Sequence, residues 1–404
     1  MFSGGQRGSI FAAMTLTVRL SALQALQNAA YGTTAIALGT YLLSTLQFSG
    51  REVGLVYASA AIASTVTPPL MGWLADRRYG AGRLLVYLNV LAALALVGCF
   101  FAPTFWTFYA AVTVFNLCFM PTFSLLTAVC FHQLAQPARQ FPFVRTWGTV
   151  AFMLLGVALS VLAWEATAWP LLLGAGACTL TALLATGLDP IPPQPAFRMA
   201  DLRGPEVSRI LHEPGMVVLL VATLLSCLPA SFYYSFLNPF LNEVGWPAAA
   251  AKMSLGQLGE IFILLAMPLV LSRVRFRRIV FFGLLAWGLR YFAFAVGRPG
   301  EWEILLYLGI LVQGIAFAWI VIAGQIYVDS RVPRSLRSTA QGLMAFANQG
   351  PMMIVGSWLA GEVVGAHDLP GGGHAWGSIW LVPGIIGVVT ALVFWWRFPR
   401  GQRL

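Results

Sequence analysis

Apolar runs long enough to cross a lipid bilayer recur along the whole of this 404-residue chain. A helix of about 20 apolar residues spans the hydrocarbon core of a bilayer. Hydrophobic residues make up 59% of the sequence and charged residues only 9%, which is more apolar surface than a soluble domain can bury. The pattern predicts an all-α integral membrane protein with twelve transmembrane helices. We place the spans at residues 16–46, 51–75, 82–102, 105–131, 143–164, 168–188, 215–242, 248–272, 277–297, 302–328, 336–364 and 376–398.

A polar, proline-rich stretch separates the sixth span from the seventh. It runs from residue 189 to residue 214 and holds six prolines, which interrupt regular structure. We therefore predict an N-terminal six-helix half over residues 1–188, a cytoplasmic linker over 189–214 and a C-terminal six-helix half over 215–404.

Arginines cluster in the loops after even-numbered spans, for example Arg77 after span 2 and Arg275 after span 8. The opposite loops hold little beyond Arg51, Lys252 and Arg298. Because positively charged loops stay on the cytoplasmic side, we expect both termini in the cytoplasm. The net charge of +10 therefore reflects the membrane topology. We expect the lipid bilayer as a partner, and we expect no nucleic acid.

Two six-helix halves joined by a basic linker are typical of secondary transporters, which bind their solute near the middle of the membrane. The sequence has no GxxxxGK[ST] motif, so nothing indicates ATP as the driver. It also has no His/Asp metal cluster and no nucleophile triad. We expect a transporter and not an enzyme, with no cofactor or metal, and a monomer, because one twelve-span chain can form a complete pathway.

The segment Ser254–Ser272 carries Gln257 and Glu260 in its first half. These two side chains are three residues apart and so share one helix face. A carboxylate near mid-membrane costs about 2.5–3.5 kcal/mol and normally faces a protein interior or a water-filled cavity. We predict that Glu260 lies in the solute pathway. The alternative is a protonated, structural Glu260 bonded to a neighbouring helix.

The loop between spans 2 and 3 contains Gly72, Asp76 and Arg77 in the order G-W-L-A-D-R, followed by glycines and Arg83. It resembles the signature loop of the major facilitator superfamily. Gly72 would let helices approach closely, Asp76 would cap or pair at the cytoplasmic end, and the arginines would anchor the loop. The resemblance implies gating and stability for these residues. The alternative is an ordinary basic loop at the membrane surface.

Two further motifs are R-T-W-G-T at 145–149 on span 5 and Q-L-G-E at 257–260 on span 8. With 120–122, 141–149, 286–290 and 338–342 in the same order, the chain resembles the bacterial nucleoside:proton symporters over nearly its whole length. The resemblance implies the major facilitator fold and a proton-coupled nucleoside importer of the bacterial inner membrane that works by alternating access. It also implies five substrate-binding residues: Arg145, Thr149, Phe152, Gln257 and Glu260.

The spacing on span 5 agrees with that implication. Arg145, Thr149 and Phe152 stand at i, i+4 and i+7, which puts a cation, a hydroxyl and an aromatic ring on one helix face. An aromatic ring can stack on a base for about 1–3 kcal/mol. The alternative for Arg145 is an anchor that extends to the cytoplasmic interface.

Span 10 departs from the resembled family, which has a tyrosine and then a Phe-Asp pair there. This chain has Gln313 and then Phe317 followed by Ala318. We predict Gln313, Phe317 and, on span 7, Tyr234 as substrate contacts, with Glu260 as the proton-coupling group. Because the second carboxylate is missing, two alternatives stay open. One is a nucleoside facilitator without proton coupling, and the other is transport of another small polar or aromatic solute, such as a sugar or a carboxylic acid.

Span 1 carries a polar stripe of Gln24, Gln27, Asn28 and Tyr31 at helical spacing. From it we select Gln27 and Tyr31 as further substrate contacts. The alternative is interhelical hydrogen bonding, which contributes about 0.6–2 kcal/mol in membranes. Arg290 on span 9 is a second cation in an apolar run, and we interpret it as structural.

Overall fold

The computed structural model describes residues 4–74, 79–188, 205–333 and 336–401. Within these ranges the chain is helical, apart from loops and one isolated β-bridge between Asp368 and His374. The predicted all-α architecture is confirmed. The helices up to residue 188 are α1 (Gly4–Ala35), α2 (Leu38–Thr40), α3 (Gly50–Leu74), α4 (Ala81–Phe100), α5 (Phe105–Phe119), α6 (Thr122–Gln133), α7 (Pro137–Val161) and α8 (Trp169–Ala185), with a π-helical turn over Tyr41–Thr45.

The second half of the chain continues in the same way. Its helices are α9 (Pro205–Leu211), α10 (Met216–Glu243), α11 (Ala249–Met253), α12 (Leu255–Arg273), α13 (Phe276–Val296), α14 (Glu303–Ala316), α15 (Ala323–Arg331), α16 (Arg337–Gln349), α17 (Pro351–Gly365) and α18 (Trp376–Arg397), with a π-helical turn over Phe317–Ile322.

Eight helical segments of the described ranges are long and apolar enough to cross a membrane. They are Ala81–Phe100, Phe105–Gln133, Arg139–Val161, Met216–Glu243, Ala249–Arg273, Phe276–Val296, Glu303–Arg331 and Trp376–Arg397. Helix α8 is apolar but shorter. Helices α1 and α3 and the pair α16 and α17 occupy the places of predicted spans 1, 2 and 11. The exact count of twelve crossings stays a prediction.

Several predicted spans are interrupted inside the apolar run. Span 4 divides into α5 and α6 around Pro121, and span 11 divides into α16 and α17 at Gly350 and Pro351. Proline cannot donate to the helical ladder, so both breaks have a local cause. Span 10 changes to π-helical geometry at Phe317, a departure that often accompanies functional sites.

Contacts divide the described chain into two units. The first unit comprises the described parts of Met1–Leu38 and Val66–Ala196, and the second those of Gly39–Thr65 and Phe197–Leu404. Residues 39–65, which we assigned to the N-terminal half, therefore group with the second unit. The division into halves at 189–214 stays a prediction, and residues 189–204 lie outside the described ranges.

The first unit has a hydrophobic core that α1, α4 and α6 share. Its buried members include Leu20, Leu85 and Leu126, one from each of these helices. Arg19, next to this core on α1, donates hydrogen bonds to the carbonyls of Leu184 and Gly187 at 3.0 and 2.7 Å. The last carbonyls of a helix lack partners within the helix, so Arg19 closes the end of α8.

In the second unit, glycines allow helices to meet backbone to backbone. The Cα atoms of Gly288 on α13 and Gly387 on α18 face each other, and a Cβ at either position would overlap the other glycine. Gly54 on α3 and Gly361 on α17 meet in the same way. Small residues at crossings are how helices pack closely in lipid, where no hydrophobic force drives their association.

Side chains of α10 satisfy carbonyls near the break between α16 and α17. The thiol of Cys227 donates to the carbonyl of Asn348 at 3.1 Å, and the hydroxyl of Ser231 donates to that of Met353 at 3.2 Å. Backbone groups within a membrane need such partners because the hydrocarbon offers none.

A histidine fixes the loop before α18 to the end of α10. The Nδ1 atom of His374 lies 2.7 Å from Glu243 Oε2, and its Nε2 atom lies 3.4 Å from Asp368 Oδ1. Partial burial opposes protonation of the ring, but the hydrogen bond to Glu243 and the charges of both carboxylates outweigh it. The pKa of His374 is therefore raised above its ordinary value.

We predict that Arg19→Ala lowers the thermal-unfolding midpoint of the detergent-purified protein by several degrees. It leaves the partly buried carbonyl of Leu184 and the exposed carbonyl of Gly187 without a charged donor, and a hydrogen bond to a charged group contributes about 1.5–3 kcal/mol. Arg83→Ala, which removes an exposed arginine, is the control and should leave the midpoint nearly unchanged. Equal midpoints for Arg19→Ala and the wild type would contradict the capping role.

We also predict a pH-dependent contribution from His374. A histidine whose pKa is raised in the folded state stabilises it fully below the unfolded pKa of about 6.5, and the contribution is lost as pH rises through the folded pKa. The unfolding midpoint should therefore fall between about pH 6 and pH 8 by more in the wild type than in His374→Gln. The exposed-histidine variant His212→Gln is the control and should follow the wild type.

Candidate functional site

The first unit contains a small polar cavity between α1, α6 and α7. Its volume is about 70 Å³. This is room for a few water molecules but not for a whole nucleoside-sized solute, whose pockets measure about 300 Å³ or more. The lining residues are Gln24, Asn28, Phe123, Thr127, Arg145 and Thr149.

Two of these, Arg145 and Thr149, are residues that the sequence predicted. One helical turn separates them, and both reach the same cavity from α7. Gln24 and Asn28 line the opposite wall, although the prediction had selected their neighbours Gln27 and Tyr31. The helical stripe was visible in the sequence, but the rotation of α1 that decides which members face α7 was not.

Gly148 explains why α1 and α7 lie so close together at the cavity. A Cβ at this position would overlap the Asn28 side-chain amide and approach the carbonyl of Gln24. The glycine of the R-T-W-G-T motif thus makes room for the amide that faces Arg145 and Thr149. Asn28 is held in turn, because its Nδ2 donates to the carbonyl of Gln24 at 2.9 Å.

Gln27 is buried and has a partner of its own. Its Nε2 donates to the Thr122 hydroxyl at 2.8 Å, directly after the break between α5 and α6 at Pro121. The structure therefore gives Gln27 an interhelical bond, the alternative that the sequence left open. A role in contacting solute stays a prediction.

Tyr31 and Phe152 belong to an aromatic row that leads to the cavity. Their ring centroids are 6.3 Å apart, and Tyr31 lies edge-on to Phe123 at 5.5 Å. Since Phe123 lines the cavity, the row places apolar ring surface beside the polar groups. Such a surface can stack on a planar solute.

The second unit brings Glu260 and Gln313 together through a close helix crossing. A Cβ at Gly314 of α14 would overlap the backbone of Glu260 on α12, and one at Gly259 would press on the carbonyl of Leu311. The absence of side chains at these glycines sets Glu260 next to the turn that carries Gln313. Gln257, one turn before Glu260 on α12, is half-buried like Glu260.

A buried arginine completes this group. Arg290 on α13 is 2% exposed, and its Nη1 donates to Gln313 Oε1 at 2.5 Å. Gln313 Nε2 donates in turn to the Tyr234 hydroxyl at 3.3 Å. The guanidinium lies over the Tyr233 ring at 3.8 Å, a cation–π contact that helps to hold the charge in apolar surroundings.

From the sequence alone we interpret Arg290 as structural, because a single cation in an apolar run does not reveal which residues it contacts. The structure connects it to two predicted contacts, Gln313 and Tyr234. Phe317 opens the π-helical turn directly after α14, and Ala318 beside it is fully buried.

Only part of the predicted signature loop can be located. Gly72 lies near the end of α3, whereas Asp76 and Arg77 lie outside the described residues. Their gating role stays a prediction.

Comparisons with known proteins bear on this arrangement as a whole. The family model described as nucleoside H+ symporter matches residues 14–403. The chain is 30% identical to the xanthosine permease of Escherichia coli over 95% of this chain and 96% of that protein. It is 27% identical to the nucleoside permease NupG of Escherichia coli over 94% of this chain and 95% of NupG.

The crystal structure of the nucleoside transporter NupG superimposes with a TM-score of 0.87 at 26% identity, covering 95% of this chain and 100% of that one. The predicted major facilitator fold and the resemblance to the nucleoside:proton symporters are thereby confirmed. This chain belongs to the nucleoside H+ symporter family of multi-pass membrane transporters.

Proposed function

We propose that this protein imports nucleosides together with protons across the bacterial inner membrane by alternating access. The observation that carries the proposal is the close crossing of α12 and α14, where the backbone of Glu260 packs against Gly314, the residue after Gln313, within apolar spans. Ionisable groups at that depth are costly and mark solute and ion pathways.

The chemistry of the two polar groups suits a nucleoside. A nucleoside offers ribose hydroxyls, a base with donor and acceptor edges, and a flat π-face. Arg145 and Thr149 supply donors in the first unit, and Phe123 and Phe152 supply ring surface there. Glu260 and Gln257 can bond hydroxyls from the second unit. The names of the related permeases support the same substrate class.

We assign proton coupling to Glu260. The described acidic side chains of the other candidate spans stand at or close to a helix end, as Glu243, Glu303 and Asp329 do. In the π-helical turn after α14, Ala318 stands where the resemblance to the family led us to expect a carboxylate. If Glu260 does not carry the proton, the same site acts as a nucleoside facilitator.

Arginine placement supports a topology with both termini in the cytoplasm, as set out for the even-numbered loops. Because a single chain supplies both groups of polar residues, we propose that the monomer is the transporting unit.

We predict that an inward proton gradient stimulates uptake of radiolabelled uridine and adenosine into proteoliposomes, and that Glu260→Gln abolishes the stimulation. Glutamine keeps the shape and the hydrogen bonding of the side chain but cannot bind and release a proton. The control Glu301→Gln makes the same change at an exposed position in a loop and should keep the stimulation.

The outcomes separate the two readings of the site. Stimulation that persists in Glu260→Gln would rule out Glu260 as the coupling group. Uptake that ignores the gradient in the wild type would leave a facilitator. An absence of nucleoside uptake by folded protein would overturn the substrate assignment.

We predict that Arg145→Ala weakens nucleoside binding by about tenfold or more, since a hydrogen bond from a charged group contributes about 1.5–3 kcal/mol. The dissociation constant in detergent is the readout. Arg139→Ala removes an exposed arginine from the same helix and serves as the control. If Arg145 is only an interfacial anchor, Arg145→Ala will lower the unfolding midpoint and leave the affinity unchanged.

A further inference from the structure

Exposed arginines gather in the second unit where α12 ends, α13 begins and α18 ends. The sequence has no acidic residue between Glu260 and Glu301, and none after Asp368. Among the described residues, no ion pair includes any of these arginines. We call the set the arginine cluster, and its members are Arg273, Arg275, Arg278, Arg397 and Arg400.

A sixth arginine joins the start of α13 to the end of α18. Arg277 donates a hydrogen bond to the carbonyl of Trp395, and its guanidinium lies 4.0 Å from the centre of the Trp395 ring. Beside it, the rings of Phe276 and Phe398 are 5.5 Å apart. The charges of Arg277 and Arg400 are close enough to act on each other. Packing therefore concentrates like charges, and a surface of one sign attracts anions.

The described carboxylate next to the cluster does not neutralise it. Glu213 acts electrostatically on Tyr327, whose ring stacks on Phe276 at 4.2 Å. Arg331 lies over the same tyrosine ring at 5.1 Å. One carboxylate and one further arginine offset each other, so the charge of the arginine cluster remains.

The cluster continues directly into apolar surface. Arg278 and Phe282 are one turn apart on α13, as are Val393 and Arg397 on α18, and all four side chains are exposed. Trp396 at the end of α18 is 83% exposed, and exposed tryptophans at the end of a span are typical of the membrane interface. Cations at the depth of the lipid headgroups thus adjoin rings and aliphatic groups at the depth of the acyl chains.

We propose that the arginine cluster and the adjoining outer face of α13 and α18 form a binding site for an anionic phospholipid. The lipid phosphate lies against the exposed guanidinium groups, which match phosphate oxygens with paired donors. The acyl chains cover Phe282, Val393 and Trp396. A soluble anion would use the charges but not the apolar surface, whereas a phospholipid uses both.

Native mass spectrometry of the detergent-purified chain tests the proposal, because it counts bound lipids one at a time. The probes are phosphatidylglycerol and phosphatidylcholine with identical acyl chains, which differ in net charge. The first phosphatidylglycerol should bind about tenfold more tightly than the first phosphatidylcholine (~1.4 kcal/mol). Equal affinities for the two lipids would overturn the proposal.

Two variants locate the site. Arg278→Gln and Arg397→Gln should each weaken the binding of phosphatidylglycerol about fivefold, because one basic residue at an anionic lipid surface contributes ~1 kcal/mol. The double variant should lose about 25-fold, and its binding of phosphatidylcholine should stay the same. The control combines Arg139→Gln with Arg209→Gln, which removes the same charge at exposed positions outside the cluster. It should bind phosphatidylglycerol as the wild type does.

The unfolding midpoint of each variant shows that the protein is folded. Unchanged phosphatidylglycerol binding in the folded double variant would overturn the proposal, and so would an equal loss in the control. Inorganic phosphate in tenfold excess over the lipid should leave phosphatidylglycerol bound. Displacement by phosphate at equal concentration would identify a site for a soluble anion and would also overturn the proposal.

Discussion

Polar groups inside an apolar helix have to find partners on neighbouring helices, because the hydrocarbon of the bilayer supplies none. The described parts of this chain show three solutions. Gln27 bonds to Thr122 beside the break in span 4, and Cys227 and Ser231 supply donors to carbonyls at the break in span 11. Arg290 is held by Gln313 and by the ring of Tyr233. Each solution places side chains at a break or beside a predicted solute contact, so the same contacts satisfy polar groups within the spans and position candidate site residues.

The polar groups of the two units differ in character. In the first unit, Arg145, Thr149, Gln24 and Asn28 line one small polar cavity. In the second unit, hydrogen bonds run from the buried Arg290 through Gln313 to the hydroxyl of Tyr234, a residue that is 42% exposed. Glu260 lies nearby on α12. Gln313 and Ala318 stand in this second group where the resemblance to the family led us to expect a tyrosine and a carboxylate. Gln313 accepts a hydrogen bond from the buried Arg290, and Glu260 is the residue that we propose for proton binding.

Much of the fold could be predicted from sequence, because apolar run length and arginine placement are direct consequences of lipid solvation. The pairing of Arg145 with Thr149 followed from helical spacing. The breaks in spans 4, 10 and 11 could not be predicted from hydropathy, because the apolar run length carries no information on backbone geometry. The choice between Gln27 and Gln24 depended on the rotation of α1, and the role of Arg290 depended on which helix lies opposite α13. Both are properties of packing that one helix's sequence does not contain.

The most direct test of the account is the steady-state accumulation of radiolabelled uridine in proteoliposomes over a series of imposed pH gradients, with the membrane potential held at zero. With Glu260 as the one proton carrier, we expect one proton to move with each nucleoside. The ratio of internal to external uridine should then rise about tenfold for each pH unit of gradient, since one unit corresponds to about 1.4 kcal/mol. A ratio that stays at one across all gradients would contradict proton coupling. A rise of about a hundredfold per unit would require a second proton site and contradict the assignment of coupling to Glu260 alone.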